Sequence, residues 1–155
     1  MRAKRPTIIG LAVAVTLIAS ACSNDADAES GSCEDITVEE AFVRLPPAEN
    51  TALYFEVTNN GDSEIALVGA STDVATMVEL HENIMNDGVM TMQPVAGQEI
   101  PIAAGATAVL EPGGLHVMAM GLTATLEEGD DVTWTLEFSN GCTTELTAPV
   151  KAIDS

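Results

Sequence analysis

Residues 51–62, TALYFEVTNNGD, set apolar and polar side chains in near alternation and then break the pattern with an Asn-Gly pair. A two-residue period marks a half-buried β-strand. Asn60-Gly61 predicts a hairpin turn directly after it. The same grammar continues down the chain. SEIALVGAST (63–72), ATMVELHE (75–82), GVMTMQPV (88–95), TAVLEP (107–112), HVMAMGL (116–122), DVTWTLEFS (131–139) and TTELTAPV (143–150) are short apolar or alternating runs. NDG, PGG, EEGDD and SNG separate several of them. Strand and turn signals that recur every 8–12 residues or so indicate a sandwich or Greek-key barrel, and no helical period persists. The expected fold is all-β, in a single domain over residues 33–152. With one Trp, one Tyr and three Phe, its core must be filled mainly by Val, Leu, Ile and Ala.

The start of the chain reads differently. MRAKRP carries three of the five basic residues, and the apolar run TIIGLAVAVTLIAS follows it. That run is too short for a stable span, so residues 1–21 are expected to be a secretory signal. The run ends in ASAC, small residues leading to Cys22, which resembles a bacterial lipoprotein processing site. Cys22 is therefore expected to be lipidated, holding the protein at the outer face of the cytoplasmic membrane, on the periplasmic or cell-wall side. An ordinary signal with an incidental Cys is the bland alternative. Residues 22–32 then form the anchor and a polar, acidic tether. Lipidation also resolves the odd cysteine count. Cys33 and Cys142 remain, and an oxidising compartment allows a disulfide between them.

Without residues 1–21, only Arg44 and Lys151 stand against 24 acidic residues, a formal charge of about −22. Nucleic acid and anionic membrane surfaces are excluded as partners by that charge, whereas cations are attracted. Solubility in a demanding exterior explains the same charge equally well.

One stretch, LHENIMNDGVMTMQPV (80–95), carries chemistry that the fold does not require. Beyond Met1 the chain has six Met, at 77, 85, 90, 92, 118 and 120, and two His, at 81 and 116. All eight fall between residues 77 and 120. Independent placement would put all six Met there about once in a thousand times, a bias of the kind that composition reading flags. On a strand, side chains two apart share a face. Met90 and Met92 thus point one way, as do His116, Met118 and Met120. His81 is expected where the run ATMVEL ends and the chain enters a loop, and His116 just after the tight PGG turn. Thioether sulfur is soft and favours Cu(I) over zinc, calcium or magnesium, and imidazole suits copper too. No Cys lies in the window, so a thiolate-dependent blue-copper centre is disfavoured. Glu79, Glu82 and Asp87 offer oxygen donors, which would not account for the methionines.

His81, ten intervening residues, Met92, then His116 and Met118 as a His-x-Met after PGG, resemble the periplasmic copper chaperone family often called PCu(A)C. AFVRLPP, ALYFEVTNNGD, VELHE, GVMTMQPV, PGGLHVMAMGL and GDDVTWTLEF are similar to family segments in family order. The 23 residues between Met92 and His116 make an interval slightly longer than the family's. The resemblance implies a cupredoxin-like β-barrel that binds one Cu(I) per domain through His81, Met92, His116 and Met118. It further implies transfer to a partner, typically the copper-bearing subunit of a haem-copper cytochrome oxidase or another copper-transfer protein. Met90 and Met120 share faces with these ligands, as supporting or alternative donors or as core packing. Met77 and Met85 read as packing or loop residues. VKAIDS carries no His- and Met-rich tail, so an additional Cu(II) site is not expected there.

Copper storage or detoxification would use the same residues. A non-metal β-sandwich adhesion or scaffold domain would leave the His and Met cluster without a role. No Ser-His-Asp or Cys-His constellation is apparent, and an enzyme is not expected.

Overall fold

The structure is a computed structural model and describes residues 32–153. The signal segment, Cys22 and all but the last residue of the tether lie outside the described residues. Ten strands follow: β1 (Ile36–Arg44), β2 (Asn50–Asn59), β3 (Ile65–Ser71), β4 (Ala75–Asn86), β5 (Val89–Pro94), β6 (Ile100–Ile102), β7 (Thr107–Leu110), β8 (His116–Leu122), β9 (Asp131–Phe138) and β10 (Thr143–Lys151). One 3-10 turn, Ala96–Gln98, precedes β6.

The strands run in the order β5-β4-β8-β2-β1-β10-β9-β3-β6, with β7 pairing the second half of β2. All named strand pairs are antiparallel except β1 with β10, whose short parallel contact, Val43↔Val150 and Arg44↔Lys151, joins the two halves of the sheet. The inner faces close on one core. β9 shows its logic: Val132, Trp134, Leu136 and Phe138 are buried at every second position. Leu53, Phe55 and Val57 of β2, Leu80 of β4 and Val117 of β8 meet them in the same cluster. The all-β single domain expected from the strand spacing is therefore the fold observed.

Three local expectations need correction. Asn60-Gly61 does not make a hairpin: β2 and β3 are not paired, and the chain crosses there from one half of the sheet to the other. A two-residue type I′ turn needs positive φ at both central residues, and neither Asn60 nor Gly61 has it. The crossover is held by Asn59, whose buried side-chain amide donates to the carbonyls of Ser63 (2.8 Å) and Ile102 (3.0 Å). Its Oδ1 accepts from the Gly61 N–H. Side-chain capture of the backbone outcompetes the tight turn. The two-residue hairpin is at Asp87-Gly88, with φ of 48° and 82°, between paired Asn86 and Val89.

Second, His81 does not end a strand. It lies within β4, at the residue where that strand changes partners, pairing His116 of β8 on one side and Pro94 of β5 on the other. β4 continues past His81 because β5 supplies a new ladder where β8 stops. Third, the methionines are not core. Met77, Met85, Met90 and Met92 are all exposed, on strands rather than loops. The core face of β4 and β8 is taken by Val78, Leu80, Val117 and Ala119, so parity turns the intervening Met outward.

A disulfide joins Cys33 to Cys142, across 109 residues, with Cα atoms 5.5 Å apart. It ties the entry of the domain to the β9–β10 turn. In the chain-entropy account a closed loop of ~100 residues contributes at most about 4.7 kcal/mol. Reduction, or the paired Cys33→Ser and Cys142→Ser changes, should lower the unfolding free energy by about 2–5 kcal/mol, read as a lower urea midpoint. An unmoved midpoint would show that the link contributes nothing to stability.

Candidate metal site

Register assembles the site. Opposite residues of a ladder share a face, so the pairs His81↔His116, Glu79↔Met118 and Met77↔Met120 place six side chains on the outer face of β4 and β8. Asn83↔Met92 and Met85↔Met90 extend the same face onto β5. Ala52↔Met118 extends it onto β2. A cavity of about 470 Å³ opens on this face. β8 lines it with His116 and Met118, β5 with Met90 and Met92, β2 with Tyr54 and β1 with Arg44. His81 is not in its wall, but its ring centroid is 5.9 Å from that of His116.

Both imidazoles are buried, His81 at 8 % exposure and His116 at 2 %. Each has one nitrogen committed. His116 Nδ1–H donates to the Gly114 carbonyl at 3.1 Å, because a carbonyl can only accept, and Nε2 keeps its lone pair. His81 Nε2–H donates to the Glu79 carboxylate at 3.0 Å. Its Nδ1 is buried and has no hydrogen-bond partner. Buried polar atoms are nearly always satisfied. An orphaned imidazole nitrogen on a ring next to a second imidazole, which itself shares a cavity wall with thioethers, fits a soft-metal donor set. Hydrogen bonds from the opposite ring nitrogens, as here, are what orients a histidine that is to bind a metal. Among the described residues no three His, Cys, Asp or Glu side chains gather into a metal site. The donors that do gather here, imidazole with thioether, suit monovalent copper.

Burial holds the His116 pKa below the usual imidazole value; the hydrogen bond to Gly114 partly opposes this and the neighbouring His81 adds to it. His116 is accordingly neutral at pH 7, the form a metal needs. Burial likewise raises the Tyr54 phenol, with Arg44 opposing, so the cavity wall beside His116 carries no phenolate.

Of the residues singled out from sequence, the structure gathers Met92, His116 and Met118, together with Met90, around one cavity, and sets His81 against His116. Met120 lies on the same face but two residues beyond Met118, outside the cavity wall. Sequence reading missed the roles of Glu79, Gly114, Tyr54 and Arg44. The Glu79 signal was present, since Glu79 and His81 are two apart on one strand.

Comparison with known proteins bears on the family and the fold. Residues 36–150 match the family model described as "Putative lipoprotein LpqE-like". "Putative lipoprotein Lxx21020" of Leifsonia xyli subsp. xyli (strain CTCB07) is 40% identical over 119 residues, 76% of this chain and 70% of that protein. Among solved structures, the copper-bound PCuAC domain from PmoF2 aligns with a TM-score of 0.63 at 21% identity, covering 77% of this chain and 94% of that one. The solution structure of CuI-DR1885 from Deinococcus radiodurans aligns at 0.58 and 33% identity, covering 80% of this chain and 85% of that one. The resemblance to PCu(A)C read from the sequence is borne out.

The His116 shift has a consequence for stability. A depressed folded-state pKa means that the unfolded chain binds the extra proton first, so stability falls as pH drops from ~6.5 toward the lower folded value and levels off beneath it. Urea midpoints should decline over that window in the protein and decline less in His116→Asn. Equal slopes in both would show that His116 is not held neutral by the fold.

Proposed function

The chain belongs to the LpqE-like lipoprotein family, and on that premise we propose that it is an exported metallochaperone that binds one Cu(I) through His81, Met92, His116 and Met118. The observation that carries this reading is the convergence of Met92, His116 and Met118 on one cavity, with the orphaned nitrogen of His81 on the adjacent strand. Copper-bound relatives of the same fold support it. Copper is the cargo. Imidazole and thioether are neutral donors, so a partner's ligands can replace them one at a time without an open, high-energy ion. Glu79 and Gly114 keep the two rings oriented during that exchange.

Anaerobic titration of the purified protein with Cu(I) against a competing chelator tests the site. One tight equivalent is expected. The His81→Ala/Met118→Ala variant should lose more than the ~10–100-fold that disturbing a supporting residue costs. No tight equivalent in the unaltered protein would overturn the reading.

The recipient in this reading is the copper-bearing subunit of a haem-copper cytochrome oxidase. Mixing the copper-loaded protein with the copper-free soluble domain of that subunit should fill the acceptor's centre, followed by its absorption. Retention of all copper by the donor would favour storage instead.

The family name and that of the Leifsonia relative support a lipid anchor at Cys22, on the outer face of the cytoplasmic membrane, ahead of a short acidic tether and the domain. Cys22→Ala should move the protein from the membrane fraction to the soluble one, and continued membrane association would reject that anchor.

A further inference from the structure

All six methionines of the described residues lie on the outer face of the β5-β4-β8 region, yet the cavity uses only three of them. Of the others, Met85 stands out. It is 63 % exposed and sits directly opposite Met90, itself 53 % exposed. The Asn86↔Val89 pair closes a two-residue turn and exchanges hydrogen bonds across it. The next pair outward, Met85↔Met90, is therefore of the non-hydrogen-bonded kind, whose Cα atoms lie about 4.5 Å apart and whose side chains are the closer set. Met has three rotatable bonds beyond its backbone, so two such thioethers can turn their sulfurs toward a common ion. Met90 also lines the cavity with Met92, His116 and Met118. It is the one methionine that belongs both to the exposed pair and to the enclosed site.

We propose that Met85 and Met90 form a second, weaker binding site for a soft monovalent cation at the tip of the β4–β5 hairpin, from which the ion passes through Met90 to the cavity. Two selections act in series there. The strongly negative charge of the chain concentrates cations of every kind around it, and Asp87 at the turn adds to that locally. The paired thioethers then discriminate, since they bind soft ions and leave sodium, calcium and magnesium in water. The exposed tip accepts an ion without any part of the domain opening. The passage into the cavity rests on the copper reading above; the hairpin site itself does not.

The test uses Ag(I), a redox-inert soft cation of the same charge, titrated into the purified protein with its methionine methyl groups labelled with carbon-13. Methyl signals of Met92 and Met118 are expected to move during the first equivalent, and those of Met85 and Met90 to complete their movement only with a second. Met85→Leu, an exposed change of similar volume, should abolish the second step and leave the first intact. A Met85 methyl that stays still at several-fold excess of Ag(I), or a second step that survives in Met85→Leu, would overturn the proposal. Shifts at Met85 and Met90 with none at Met92 and Met118 would uphold the hairpin site and overturn the cavity site instead.

Discussion

The register of β4 against β8 is the constraint on which the site depends. Leu80 and Val117 are partners in the same ladder that pairs His81 with His116, one residue away and facing the opposite side. Because side chains alternate, a slip of one residue would carry the histidines into the core and Leu80 out of it. Burying a Leu side chain stabilises by roughly 1.5–3 kcal/mol, and two imidazoles forced among Trp134 and its neighbours would lose their hydrogen bonds as well. The core thus fixes the outer face through the alternation of the strands. The His and Met side chains of the outer face are held in place by what lies behind them.

Length then separates the functions of the strand. β4 runs on beyond the end of β8, and its second half is claimed by β5 through the Asp87-Gly88 turn. The turn brings Met90 and Met92 back beside His116 and Met118 on the same face. A single long strand therefore carries one histidine and presents the methionines of a second strand to the other. The β1 bulge between Glu39 and Phe42 sets the opposite rim. It leaves Phe42 opposite Tyr54, with ring centroids 5.1 Å apart, and Tyr54 in turn lies 6.1 Å from His116.

Much of this was legible in the sequence because it depends on parity, and parity is local. The alternation in DVTWTLEFS gives β9 its buried positions, and HVMAMGL gives β8 a thioether face and an apolar face. The bias of Met and His toward residues 77–120 pointed to the right surface. What misled was local chemistry whose meaning is set by distant partners. Asn60-Gly61 has the composition of a hairpin turn, but Asn59 is captured by carbonyls of Ser63 and of Ile102, 43 residues away. His81 looked like a strand end because the apolar run stops there, yet β5 supplies a second ladder that no local pattern announces. Burial of Met90 was the commoner expectation for a methionine, and it failed because β5 is an edge strand with almost every residue exposed, which sets Met90 on the outer face opposite Met85. The neighbours that orient the imidazoles, Glu79 and the Gly114 carbonyl, carry no motif of their own.

Accessibility across the face follows an order with a physical meaning. The histidines are buried, Met118 is half-buried, and Met92, Met90 and Met85 are progressively more open toward the hairpin. Imidazoles held by Glu79 and Gly114 cannot swing out to meet a partner, whereas exposed thioethers on flexible stems can. Ligand exchange with a partner would therefore begin at the methionines and end at the histidines. In the copper reading proposed above, the rigid donors would set how firmly an ion is held, and the mobile ones where it leaves. Neutral donors make that division workable: no thiolate or carboxylate has to be stripped from the metal, and the negative charge that attracts the ion is spread over the rest of the chain. Holding and release would then be governed by different residues on one continuous surface.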